Sequence, residues 1–223
     1  MRTLLGMSTA AIFAVGVWAA PAASAATTGG AWDLNELSGT VAADSSGSGN
    51  NGTILGPVQR GVPGHTGTGF SFAAPGSWVE VKSKASLNPG KSSFSFSAWV
   101  NFSRAPASGE TYDVIRKGLS ATAGGEYKLE IISGGRAKCE AKDVARVRGV
   151  MTFPKLNLAD GQWHQVGCAR TATGWSVIVD GKVKTKAIVF GSIGNTKSLS
   201  IGSNYGKEDF NPGVVDEVRL SIG

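Results

Sequence analysis

Phe94-Ser95-Phe96-Ser97-Ala98-Trp99-Val100 decides the fold class. Apolar side chains recur at every second position and Phe102 continues the series. Phe94, Phe96, Ala98, Val100 and Phe102 therefore share one face, with Trp99 on the other. A period of two marks a strand with one buried face. Shorter alternating runs surround it: Trp78, Val79 and Val81 within 77–81, Tyr127-Lys128-Leu129-Glu130-Ile131, then 165–169, 174–179, 198–201 and 214–222. Turn residues separate them. Asp180-Gly181 between two such runs favours a tight hairpin, because both residues tolerate positive φ. Gly124-Gly125 and Gly134-Gly135 mark two further turns. Few stretches show a helical apolar period. About a dozen short strands in a chain of this size predict an all-β fold of two packed antiparallel sheets.

The chain opens on Met1-Arg2, continues with an apolar run over 4–18 and reaches Ala23-Ser24-Ala25. This pattern predicts a secretory signal peptide over 1–25, cut before Ala26, and a secreted mature domain over 26–223. The apolar run falls short of the roughly 20 residues a membrane span needs. No later segment is apolar enough, so no membrane span is expected after signal cleavage. Loss of Arg2 takes the net charge from +6 to +5. The cations are scattered, apart from Lys142, Arg146 and Arg148 within 141–149. Nucleic-acid binding calls for a denser basic face with interleaved aromatics, so scattered surface charge is the expectation here and no nucleic-acid partner. An acidic glycan could still feel this field.

Cys139 and Cys168 are the chain's two cysteines, and each sits in an alternating run. In an exported chain this predicts one disulfide tying two strands. No Cys-x-x-Cys is present, which argues against a redox role. Trp99 and Trp163 are expected to pack the core. His164 is expected to be structural at a strand end, and His65 an exposed loop residue.

Five segments, read in order, resemble the laminin-G-like (LamG) jelly rolls of the concanavalin A-like lectin/glucanase superfamily. They are Trp32-Asp33-Leu34-Asn35-Glu36-Leu37 with the following 43–53, Gly69-Phe70-Ser71-Phe72 with Trp78-Val79-Glu80-Val81, and 94–100. Asp160-Gly161-Gln162-Trp163-His164 leading to Val179-Asp180-Gly181 is the fourth, and Gly213-Val214-Val215-Asp216-Glu217-Val218-Arg219 the fifth. The resemblance implies a two-sheet antiparallel jelly-roll sandwich. It says less about function, because such folds host lectins, adhesion modules, hydrolases and lyases.

Asp44-Ser45-Ser46-Gly47-Ser48-Gly49-Asn50-Asn51-Gly52 is rich in oxygen atoms and glycine. Such a loop can wrap a hard cation, which requires a carboxylate from elsewhere in the chain. Relatives often hold a structural calcium between an early Asp loop and a late Asp-Glu pair. The resemblance therefore implies a Ca2+ site with Asp44 and Asp216 as carboxylates and Asn50 and Gly52 adding oxygens. The alternative is a glycine-rich turn in which Asp44 and Asp216 cap backbone amides.

Catalytic motifs are missing. No Glu-x-Asp-x-x-Glu run brings two carboxylates to one strand face, and no Gly-x-Ser-x-Gly elbow or His-Glu-x-x-His helix appears. Binding asks only for aromatic platforms beside polar groups. Trp78, Tyr112, Trp175 and Tyr205 are the candidates. The expected function is a secreted, non-catalytic carbohydrate-binding or cell-surface adhesion module, with a glycan or a cell-surface protein as partner. The alternatives are a polysaccharide-degrading hydrolase or lyase of the same fold, and a purely structural protein-interaction module.

Overall fold

The computed structural model describes residues 27–223, and the expected leader over 1–25 lies outside them. The first sheet has the order β14 (Lys182–Lys186), β13 (Gly174–Val179), β12 (His164–Thr171), β7 (Phe94–Asn101), β16 (Val214–Ile222), β5 (Thr68–Ser71), β4 (Gln59–Pro63), with β1 (Thr27–Trp32) also paired on β16. The second has the order β11 (Arg148–Thr152), β10 (Arg136–Lys142), β9 (Glu126–Ile132), β8 (Thr111–Lys117), β15 (Leu199–Ile201), β6 (Trp78–Val81), β3 (Gly52–Leu55), β2 (Val41–Ala42). Neighbouring strands run antiparallel in both. The predicted two-sheet jelly roll is the observed fold.

Alternation explains how the sheets face each other. Phe94, Phe96, Ala98 and Val100 point inward from β7 and meet Tyr127, Leu129 and Ile131 of β9 and Ala137 and Ala141 of β10. The expected hairpins form. Asp180 and Gly181 adopt φ of 46° and 73° between β13 and β14, while Gly134 and Gly135 turn β9 into β10. Cys139 on β10 and Cys168 on β12 form the disulfide, so the bond joins one sheet to the other.

Two aromatic expectations are corrected here. Trp175 is fully buried, with its ring against Phe94, Phe96 and Phe190 and its indole N–H donated to the Cys139 carbonyl at 3.3 Å. It is a core residue and offers no surface to a ligand. The turn at Thr173-Gly174 suggested exposure, but β13 is flanked by β12 and β14 and its inward face is covered by the other sheet. Trp99, conversely, leaves the core. Ala98 and Val100 take the inward positions of β7, so Trp99 stands half-buried on the outer face. Trp163 is half-buried as well.

Candidate functional site

The hairpin of β9 and β10 builds the floor of a groove on the outer face of the second sheet. Its inward residues fill the core, which leaves Glu126, Lys128 and Glu130 of β9 and Lys138, Glu140 and Lys142 of β10 on the other face. The register sets Glu126 opposite Lys142, Lys128 opposite Glu140, and Glu130 opposite Lys138. Every cross-strand pair is thus of opposite charge, the arrangement that stabilises adjacent strands. Arg116 on β8 lies opposite Lys128, a pair of like charge, and turns instead to Asp113 and Glu130.

The resulting network is nearly closed. Lys138 Nζ lies 3.0 Å from Glu130 and 3.3 Å from Glu140, Arg148 Nε donates to Glu140 at 2.5 Å, and Lys128 bonds Glu130. Arg116 Nε donates to Asp113 at 2.5 Å. Glu126 is the exception. Its partner across the hairpin, Lys142, turns away to the Ser120 carbonyl, and Glu126 Oε2 is buried without a hydrogen bond. Burial, then repulsion from Glu140, pushes the Glu126 carboxyl above its ordinary range. Burial acts on Glu140 in the same direction, but the bond from Arg148 and the charges of Lys128 and Lys138 overcome it and hold that carboxyl low. Two acidic groups in one groove therefore have opposite tendencies.

The groove encloses about 810 Å³. Leu119, Ser120 and Ala121 line one part of it, and Trp78, Asn204, Tyr205, Lys207 and Glu208 another. Trp78 opens β6 with its ring outward, because Val79 and Val81 take the buried positions. The Tyr205 ring meets it edge-on, with centroids 5.7 Å apart. Tyr205 has a positive φ of 54°, and its hydroxyl accepts from the Gly118 N–H at 2.7 Å and donates to the Ser198 carbonyl at 3.1 Å. Burial raises its pKa to about 12, so it remains a neutral phenol. Gly206 must be glycine: φ is +70°, and a Cβ would lie 2.7 Å from the Trp78 ring.

Of the residues expected to bind ligand, Trp78 and Tyr205 come together in this groove, and Trp175 is in the core. Tyr112 is buried at 3% exposure, with its ring edge-on to Phe102, so it presents no stacking face. It touches a separate cavity of about 440 Å³ that also meets Arg104, Glu110 and Asp209. The charged floor was not singled out from the sequence. Its signal was there: Glu-x-Lys-x-Glu and Lys-x-Glu-x-Lys flank the Gly134-Gly135 turn, which a tight hairpin pairs acid to base.

The residues of the expected calcium site have hydrogen-bond partners within the protein. Asp44 Oδ1 accepts from the Ala31 and Ser46 amides at 3.0 Å each, and Oδ2 accepts from the Asn50 amide at 2.7 Å. Burial raises the Asp44 carboxyl, but these bonds outweigh it and leave the pKa lowered. The Asn50 carbonyl accepts from the Trp32 indole at 2.9 Å. Gly52 packs in β3, where a Cβ would strike Val79. Asp216 is fully buried and accepts from the Thr66 and Glu217 amides. The two carboxylates serve different loops, and their oxygens already face N–H donors. Among the described residues no cluster of three or more His, Cys, Asp or Glu side chains is arranged to hold a metal.

Both histidines have carboxylate partners that sequence neighbours did not reveal. His65 lies flat on Trp99, with centroids 3.6 Å apart and planes 9° off parallel, and its Nδ1 is 2.6 Å from Glu217. His164, at the start of β12, sits between Asp180 at 2.8 Å and Asp160 at 3.1 Å.

Residues 72–221, more than half of the chain, match the family described as the concanavalin A-like lectin/glucanases superfamily. A comparison with curated proteins finds no match. Among solved structures, the binding domain of Paraclostridial Mosquitocidal Protein 1 superposes with a TM-score of 0.69 at 15% identity, covering 87% of this chain and 48% of that one. The binding domain of botulinum neurotoxin DC in complex with SialylT gives 0.64 at 16% identity, and the same domain with rat synaptotagmin II gives 0.63 at 17%, each with the same coverage. The chain thus spans about half the length of these structures, and the likeness is one of fold.

Proposed function

Because the chain belongs to the concanavalin A-like lectin/glucanase superfamily, we propose that it is an exported carbohydrate-binding module that takes a saccharide into the groove of its second sheet. The observation that carries this reading is the joining of Trp78 and Tyr205 to a floor of fixed charged donors and acceptors. A pyranose has an apolar face and a polar rim. It would lay the face on the Trp78 indole and offer its hydroxyls to Arg116, Lys128, Glu126 and Glu208. The floor is held by its own ion pairs, so little ordering cost accompanies binding. The toxin binding domain of similar fold, solved in complex with SialylT and with rat synaptotagmin II, adds support for a glycan or a protein as partner.

A glycan array with the wild-type protein and Trp78→Ala tests this. Binding of one saccharide class that is lost in the variant is the expected result. A folded protein that binds no glycan would return the groove to protein recognition. Export is tested by the N-terminal residue of the protein recovered from the medium, which should be Ala26.

Glu126 and Glu140 give a second reading some ground. They are diagonal neighbours on adjacent strands, roughly 7–8 Å apart at the backbone, and a raised acid beside a lowered one is how a hydrolase divides its roles. Binding stands first because Glu140 is held by Lys128, Lys138 and Arg148, which removes the basicity a water-activating carboxylate needs. Release of reducing ends from a bound polysaccharide, lost in Glu126→Gln, would reverse that order.

A further inference from the structure

At one end of the sandwich, outside the groove, the hairpin tip at 143–147 stands beside the loop at 187–193. Three valines project there: Val144 is 62% exposed, Val147 41% and Val189 82%. The tip is braced. Asp143 turns inward, with Oδ1 accepting from the Val147 amide at 2.8 Å and Oδ2 from the Gly191 amide at 2.6 Å. The Val144 amide donates to the Ser192 carbonyl at 2.9 Å, and Arg170 donates to the Gly191 carbonyl at 3.1 Å. Ile188 and Phe190 pack over Gly149, which drives the intervening Val189 outward.

Cations surround these valines. Lys142, Arg146 and Arg148 belong to the hairpin, and Lys182, Lys184 and Lys186 alternate along the exposed β14, which abuts β11 at the sandwich edge. Arg146, Lys184 and Lys186 make no side-chain hydrogen bond or ion pair among the described residues. The stretches 144–149 and 181–193 contain no acidic residue. A cavity of about 220 Å³ is lined by Lys142, Val144 and Arg146, by 121–124, and by Asp143, whose two carboxylate oxygens are taken up by the Val147 and Gly191 amides.

We infer that this tip is a docking surface for an anionic lipid bilayer. Apolar side chains on a braced projection enter the headgroup–acyl boundary, and the cations around them meet the negative surface. The cavity between Lys142 and Arg146 receives a lipid phosphate. Lysines on an edge strand also discourage strand pairing between molecules, but that role does not call for exposed valines on the neighbouring loops. An acidic polysaccharide would use the cations and leave the valines idle. The docking concerns the bilayer surface alone: among the described residues no helix is long and apolar enough to cross a membrane.

The test is vesicle flotation of the full chain with phosphatidylcholine vesicles and with mixed phosphatidylcholine–phosphatidylglycerol vesicles. Binding should need phosphatidylglycerol. It should weaken about fivefold for each cation neutralised among Arg146, Lys184 and Lys186, and at least about tenfold in a Val144→Asp, Val189→Asp double variant. All these side chains are exposed, and an unchanged melting temperature verifies the fold. Equal binding to neutral vesicles, or binding untouched by the valine changes, overturns the inference. Retention on an acidic polysaccharide that needs the cations and ignores the valines assigns the edge to a polymer and overturns it as well.

Discussion

Trp78 and Tyr205 meet edge to face at 5.7 Å, and the tyrosine is fixed at its far end by hydrogen bonds to Gly118 and Ser198. The indole therefore stands against a rigid backing. Trp78→Ala should weaken saccharide binding about tenfold or more, ~1.4 kcal/mol, in titration calorimetry. Tyr205→Phe keeps the ring and loses the hydroxyl's bonds, so it should cost about 1 kcal/mol of stability in urea unfolding while largely sparing affinity. Equal affinity in Trp78→Ala and wild type would remove the indole from the site.

Glu126→Gln should stabilise the protein near neutral pH. The folded-state pKa of this carboxyl is raised, so the folded form prefers the proton and loses stability as pH climbs from the ordinary glutamate value through the raised one. The amide removes that dependence. Melting curves of variant and wild type should coincide at acid pH and separate above it, with the variant melting higher.

His164 shares the direction of that pH dependence. Burial lowers its pKa, but the bonds to Asp180 and Asp160 and their charges outweigh that, and the net shift is upward. Its contribution is complete below the ordinary imidazole value and fades as pH rises through the raised one. The melting-temperature gap between wild type and His164→Asn should be widest in mild acid and shrink in alkali. A gap that is constant across that range would refute the ionic role.

Asp44→Ala leaves three backbone amides, those of Ala31, Ser46 and Asn50, without their acceptor. The cost should be about 1–3 kcal/mol and should be the same in calcium as in a chelator. A wild-type melting temperature that rises with calcium, with the rise absent in Asp44→Ala and Asp216→Ala, would instead establish the calcium clip that the oxygen-rich loop suggested.

Much of the sandwich was legible in the sequence, because period-two alternation assigns faces without tertiary knowledge. Phe94, Phe96 and Val100 show it, as does the Asp180-Gly181 hairpin, whose φ values only a short list of residues tolerates. Alternation does not say which aromatic face turns inward, and that is where Trp99 and Trp175 exchanged places. The groove needed more. Glu126 is distinctive only because Lys142 points away from it, and no spacing along the chain discloses a side chain's choice of partner. His65 on Glu217 joins residues 152 positions apart, beyond the reach of local patterning. The calcium expectation rests on side-chain chemistry and on the resemblance, and the amide bonds to Asp44 are a feature that neither discloses.

The pairing of β1 with β16 sets how the module would bear mechanical load. Thr27 lies opposite Ile222, so both ends of the described chain leave from one corner of the sandwich. A pull on the two ends opens that strand pair from its tip and breaks hydrogen bonds one after another, a low-force unzipping that peels β1 away first. The Cys139–Cys168 bond lies deeper and clamps one sheet to the other, so tension that strips the first strand meets a covalent stop before it can part the two layers.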